Sequence, residues 1–278
     1  MKGIGVIAGL TWREALRRRI LMAALVLGLA FLALYGLGLW LSLADTPMQI
    51  PRNALIRRQV LNVLLVLGLY AVNWLTVVMT ILVSVDTLAG EIASGTIQAV
   101  VTKPISRWEV VLGKYAGFAG MLTLYLLLMG GGVVLEAIFF AGRLPENLLR
   151  VGALMWLEGL LLLAVSFRAG ASLSTLATGV LVFGLHLLAF LGGWIEEIGS
   201  LARSQTAVNI GVIASLVMPS ESLWRRAASE VQGPVIGGLG RTPFSVSSVP
   251  SGWMVLYAGM YLAAALWFAV RRFSRRDL

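Results

Sequence analysis

The chain has 278 residues, of which 59% are hydrophobic and only 13% charged, with a mean hydropathy of +0.89. A soluble domain carries about 45–50% apolar and about 25% charged residues, so this composition excludes a water-soluble fold and makes lipid the solvent for much of the surface. The net charge of +9 does not point to nucleic acid, because Lys and Arg stand at the ends of apolar runs and form no dense patch. The absence of cysteine excludes disulfides and thiolate metal sites.

Residues 3–19 read as a short helix ahead of the first apolar run. At 100° per residue, Ile4, Ala8, Trp12 and Ala15 share one face, Arg13 and Arg17 the opposite one, and Glu14 and Arg18 form an i,i+4 pair. That pattern suits an amphipathic helix lying on the inner leaflet; the plainer reading is a positive anchor for the first span.

Six segments are long and apolar enough to cross a hydrocarbon core, which takes about 20 residues. They are 20–43, 60–85, 110–141, 149–167, 171–193 and 251–270. Ser42-Leu43-Ala44 resembles a signal-peptidase site, but the apolar run before it exceeds the roughly 7–15 residues of a signal peptide, so a retained span is expected. With the N-terminus inside, thirteen Lys and Arg fall on the inner side and nine on the outer, four of the nine within the long 194–250 connector. The positive-inside rule then places both termini in the cytoplasm. The 194–250 connector is expected to be an extracytoplasmic loop, punctuated by Gly and Pro, in which Ala207–Met218 is too short to span and suits a re-entrant or interfacial helix.

The segment 86–109 between the second and third spans carries most of the polar chemistry of the first half. Ile97, Val100 and Val101 form one apolar stripe on a short helix, which Pro104 ends. Ser106 and Glu109 then make a capping box just before Val110-Val111-Leu112, so the third helix starts there with Arg107 in its first turn and Lys114 further along. A short helix held across the ends of two spans can pass a push from a bound protein into the membrane; a stiff turn with no partner would look the same. Gly113-x-x-x-Gly117, followed by Gly120, allows a close helix approach at the start of the third span. Gly113-Lys114 mimics the end of a phosphate-binding loop, but Trp108 and Tyr115 stand where that motif needs Gly and Ser or Thr, so no nucleotide site and no enzymatic activity of its own are expected.

The pattern D-x-x-x-G-E-x-x-x-G-T-I followed by T-K-P-I-S-R-W-E-V-V-L-G-K resembles the permease subunits of ABC-2 type transporters, in the branch of multi-copper enzyme and nitrous-oxide reductase maturation permeases. Asp86, Gly90, Glu91, Gly95, Thr96, Pro104, Ile105, Arg107, Gly113 and Lys114 carry the likeness, and the layout of the whole chain agrees with it. The resemblance implies a single permease domain over 1–278: an all-α membrane protein with an N-terminal elbow helix, six transmembrane helices and a cytoplasmic coupling helix over 86–109. It implies a bacterial or archaeal cytoplasmic membrane, pairing with a second permease chain, and two cytoplasmic ATP-binding subunits that hold ATP and Mg. Asp86, Glu91, Gly95, Thr96, Pro104, Ile105, Arg107 and Lys114 would then form the docking segment. This chain would hold no cofactor, bind no nucleic acid, and work with its partners in transport, in the direction of export.

Within the spans, Asn73, Glu136, Glu158 and His186 are candidates for a translocation path, since charged groups in spans are costly and face a partner or a cavity. Hydrogen bonding between helices is the structural alternative for each. No metal site is expected: Met121 and Met129 form no Met or His cluster, and methionine usually fills apolar gaps. Two other functions fit the composition. A secondary transporter working alone would show paired ionisable groups at the midplane and internal repeats, neither of which is legible here. A non-transporting anchor of an envelope complex would tolerate loss of the polar 86–114 segment.

Overall fold

The computed structural model describes residues 2–44, 54–94, 106–141, 147–232 and 249–275. Every regular element among them is helical: α1 (Lys2–Leu16), α2 (Arg19–Ala44), α3 (Ala54–Ala93), α4 (Arg107–Ala141), α5 (Leu148–Gly170), α6 (Thr175–Leu201), α7 (Gln205–Val217), α8 (Ser220–Gln232) and α9 (Gly252–Ser274). Six of these helices are long and apolar enough to cross a membrane: α2, α3, α4, α5, α6 and α9. Their outer faces suit lipid. Phe139 is 83% exposed and Leu149 90%, which water would not tolerate over a whole surface.

The six spans match the six apolar runs, and the helices run past the hydropathy limits at several ends. The second continues to Ala93, the third starts at Arg107, the fourth reaches Gly170 and the fifth reaches Leu201. Backbone hydrogen bonding carries a helix beyond the apolar stretch once it has started, because each further residue adds one bond. Ser174 caps the fifth, its hydroxyl accepting from the Ala177 N–H at 3.4 Å.

A turn separates the N-terminal helix from the first span. The helix α1 ends at Leu16, Arg17 and Arg18 turn, and α2 starts at Arg19. One face of α1 is covered by α4 over Gly113, Gly117 and Gly120. A Cβ at Gly113 would stand 2.7 Å from Ile7 Cβ, and one at Gly117 would stand 2.9 Å from the Ala8 carbonyl oxygen; Trp12 lies over Gly120. These glycines remove the side chains that would hold the two backbones apart. The buried face of α1 is therefore centred on Ile7, Thr11 and Ala15, rotated from the Ile4, Ala8, Trp12, Ala15 stripe, whose other members are half-buried.

The centre of the bundle is α3 and α5, packed against each other and walled by α4, α6, α8 and α9; α2 and α9 are the most open. Tyrosine hydroxyls tie neighbours by donating to backbone carbonyls: Tyr35 to Leu64 at 3.0 Å, Tyr115 to Leu160 at 3.0 Å, Tyr125 to Ala24 at 3.3 Å and Tyr257 to Leu216 at 2.6 Å. Met121 and Met129 are core filler, Met129 filling the space left by Gly28.

The described part of 194–250 is not a loop. After α6, the chain folds back as α7, which is about 20 Å long at 1.5 Å per residue and too short to span. Small residues line its contact with α6: Gly192 against Ala214, and Gly199 against Ala207. Met218 then takes an extended backbone (φ −144, ψ 103), as the residue before a proline does, and α8 leaves at 107° to α7. The helix α8 is buried along most of its length, with Leu223, Trp224, Ala227 and Ala228 in the core.

Candidate functional site

At one end of the bundle the last turns of α3 meet the first turns of α4 and the arginine that follows α1. The capping box forms as the sequence predicts, in its reciprocal half: the Glu109 carboxylate accepts from the Ser106 backbone N–H at 3.2 Å. Gly95, Thr96, Pro104 and Ile105, with the expected short helix over 97–101, lie outside the described residues.

Asp86, Gly90 and Glu91 stand on the final turns of α3, not on a separate connector. Asp86 is exposed; its carboxylate lies over Gly90, where a Cβ would overlap it, and reaches Arg18 at 3.6 Å. Arg18 also holds Glu14 at 2.9 Å, so one arginine after α1 ties α1 to α3. Such exposed pairs contribute little individually, about 0–1 kcal/mol. Glu91 and Lys114 face each other between α3 and α4 in a close ion pair, with Lys114 buried. Breaking a buried pair on one side costs about 3–5 kcal/mol, so this contact braces the base more strongly than the surface pairs do. Arg107 donates from Nη1 to the Ser274 carbonyl at 3.4 Å, joining the start of α4 to the open C-terminal carbonyls of α9. Of the four described residues of the expected docking segment, then, Glu91 and Lys114 turn inward, Arg107 is half-buried in an interhelix tie, and Asp86 faces out. The exposed Trp108 stands in the same turn as Arg107.

A second polar cluster forms inside the bundle. Glu158 on α5 is fully buried, and neither carboxylate oxygen has a hydrogen-bond partner among the described residues. Asn73 of α3 lies beside it, short of hydrogen-bond geometry, and Glu221 of α8 is close enough to act on it electrostatically. The His186 ring on α6 sets Nδ1 3.0 Å from the Ser220 hydroxyl of α8 and meets Trp74 edge to face at 5.4 Å. Arg225, one turn after Glu221, reaches Glu196 at 2.7 Å and Glu197 at 3.7 Å, both near the end of α6. The structure thus sets Glu158 beside Asn73, places His186 against Ser220 and Trp74, and leaves Glu136 apart: that side chain lies on α4 against Gly36 of α2. Sequence reasoning missed Ser220, Glu221, Arg225, Glu196 and Glu197, which it assigned to an outer loop. The signal available was the Glu221/Arg225 spacing of four, which places both on one helix face, with Glu196-Glu197 upstream as a partner.

This arrangement has two chemical capacities. The base can transmit displacement, since α1, α3, α4 and α9 are joined by direct ties. The interior cluster sets the Glu158 and Glu221 carboxyl groups close enough to act on each other, an arrangement that can share or exchange a proton. Among the described residues no three His, Asp or Glu converge as metal ligands. No protein-family model matches the chain, and comparison with curated proteins returns no match.

Proposed function

We infer that the chain is the membrane-spanning permease subunit of an ABC-2 type transporter, acting with a separate ATP-binding subunit. The observation that carries the reading is the braced base of the bundle. The family-like motif runs in sequence from the end of α3 to the start of α4; the end of α3 is tied to α1 through Arg18 and to α4 through Lys114, and the start of α4 to α9 through Arg107. A protein pressing on that segment would move four helices at once. In this reading α1 is the elbow helix, the 86–109 segment couples to the ATPase, and both termini are cytoplasmic. ATP and Mg sit on two partner ATP-binding subunits, and a second permease chain completes the unit in a bacterial or archaeal cytoplasmic membrane. The chain supplies no catalytic group and couples hydrolysis to substrate movement, in the direction of export.

The test is co-purification from native membranes in mild detergent. Asp86→Arg and Trp108→Ala alter exposed side chains at the base and leave the Glu91–Lys114 tie whole. An ATP-binding subunit that co-purifies with the parent and is lost or weakened in either variant supports the docking surface. Undiminished binding by both variants removes that surface from the reading, and absence of any ATPase removes the reading itself.

One observation favours a second reading, a transporter working without a motor. Glu158 has Glu221 as a charged neighbour inside the bundle, with Arg225 close by on the same helix, which is the kind of paired ionisable group such a transporter needs. Substrate movement by the purified chain in liposomes without nucleotide decides for it.

A further inference from the structure

The helices α1 and α2 climb the same neighbour. On α1, Gly3 lies against the Glu109 carboxylate, Ile7 against Gly113, Thr11 against Gly117 and Trp12 against Gly120. On α2, Gly28, Leu32 and Gly36 then meet Met129, Gly132 and Glu136. Both rows advance along α4 in the same direction, so α1 stands beside the foot of α4. The chain breaks between the two helices at Arg17 and Arg18, and the Arg18 carbonyl starts α2 by accepting from the N–H groups of Leu21 and Met22 at 3.1 and 3.3 Å. The membrane-length run begins at Arg19, so the break stands where the chain enters lipid.

Four arginines crowd this break, and they are not equivalent. Arg18 holds two carboxylates, Glu14 at 2.9 Å and Asp86 at 3.6 Å. Arg13, Arg17 and Arg19 are exposed, and among the described residues none has a hydrogen bond or ion pair from its guanidinium. Arg13 and Arg17 are one turn apart, on the side of α1 turned away from the buried Ile7, Thr11 and Ala15. Leu16, Ile20 and Met22 are exposed beside them. Apolar side chains of this size favour hydrocarbon, and guanidinium favours a charged polar layer; the two environments meet at the headgroup boundary.

We propose that the Arg13–Arg17–Arg19 face is a headgroup site for an anionic phospholipid: the guanidinium groups hold its phosphate, and Leu16, Ile20 and Met22 lie along its acyl chains. Guanidinium matches phosphate oxygens with paired N–H donors. A zwitterionic lipid brings the same phosphate with an ammonium group, which three free guanidiniums repel. The Glu14 and Asp86 carboxylates, which would attract that ammonium, are held by Arg18. The bound lipid pins the α1–α2 break to the membrane surface, and with it the seat of α1 on α4. The site requires only that the chain spans a membrane, and it stands whether or not a motor binds.

The chain has no cysteine, so Leu16→Cys in the full chain places a single bimane next to Arg13 and Arg17. The purified protein is reconstituted in mixed phosphatidylcholine and phosphatidylglycerol vesicles of one headgroup composition, with bromine on the chains of either the anionic or the zwitterionic lipid. Quenching reports which lipid stands at the face. The expected result is an enrichment of phosphatidylglycerol by at least about fivefold, the effect of about one arginine near an anionic surface. Arg13→Gln with Arg17→Gln should abolish most of the enrichment; Arg272→Gln with Arg275→Gln, exposed at the end of α9, should keep it. Raising potassium chloride from about 0.05 to about 0.5 M should shrink it in the parent, since the screening length falls to a few ångströms. Equal quenching by the two lipids would overturn the site and leave the face to solvent or to a protein partner. An enrichment indifferent to salt, or undiminished in Arg13→Gln with Arg17→Gln, would overturn the role of the arginines. Loss of the enrichment to millimolar inorganic phosphate at constant ionic strength would mark a site for free anions and overturn the lipid assignment.

Discussion

Replacing Gly117 by valine tests how α1 is held. A Cβ there would stand 2.9 Å from the Ala8 carbonyl oxygen and 2.9 Å from Thr11 Cβ. The carbonyl is backbone and cannot rotate aside, so α1 must lift. Overpacking of this kind costs about 1–3 kcal/mol in the seated state. The lower helix propensity of valine acts on α4 equally whether α1 is seated or not, and so cancels. The unseated population should therefore rise by about 5–150-fold. Ala15, on the buried face of α1 and 1% exposed, supplies the reporter: Ala15→Cys in this cysteine-free chain is labelled by a maleimide only when α1 opens. Labelling should accelerate at least about fivefold in Gly117→Val. Gly130→Val, on the same helix but with nothing within 4 Å of its Cβ, should leave the rate unchanged. Equal labelling of Gly117→Val and its parent, or equal acceleration by Gly130→Val, would refute the seat.

Three further outcomes are expected. Lys114→Met strands the Glu91 carboxylate between α3 and α4 and should cost about 3–5 kcal/mol; thermal unfolding in detergent should shift down clearly, and the exchanged pair Glu91→Lys with Lys114→Glu should recover most of the loss. Arg225→Leu removes the cation 2.7 Å from Glu196 and 3.7 Å from Glu197 and should cost a similar amount, about 3–5 kcal/mol, read as lost folded yield and faster proteolysis after Arg203 in the α6–α7 turn. A thermal midpoint within error of the parent would remove Arg225 from the account of how α8 is held. Gly211→Val directs a side chain at the Gly192 carbonyl, 2.6 Å from its Cβ, and should separate α7 from α6 at a cost of about 1–3 kcal/mol; Ser215→Cys, at a position buried in the parent, should become open to maleimide only in this background.

The elements whose causes are local were legible from the residues alone. Hydropathy summed over a span located all six membrane-length helices, because transfer of a 20-residue apolar run into lipid does not depend on what packs beside it. The capping box of Ser106 and Glu109 was legible because its partners are three residues apart, and the glycine stripe of Gly113, Gly117 and Gly120 because close helix approach needs small residues at that spacing. Which way each helix faces emerged only from its packing. In lipid the core side and the outer side of a helix are both apolar, so periodicity does not tell them apart; shape and a few polar pairings do. That is why Glu91 and Lys114, which read as a docking surface, face each other inside. It is also why 194–232 reads as a polar loop. The charges of α8 look like solvated surface in one dimension, and only the fold of α7 against α6 brings Arg225 to Glu196 and Glu221 towards Glu158, where burial makes each of them matter.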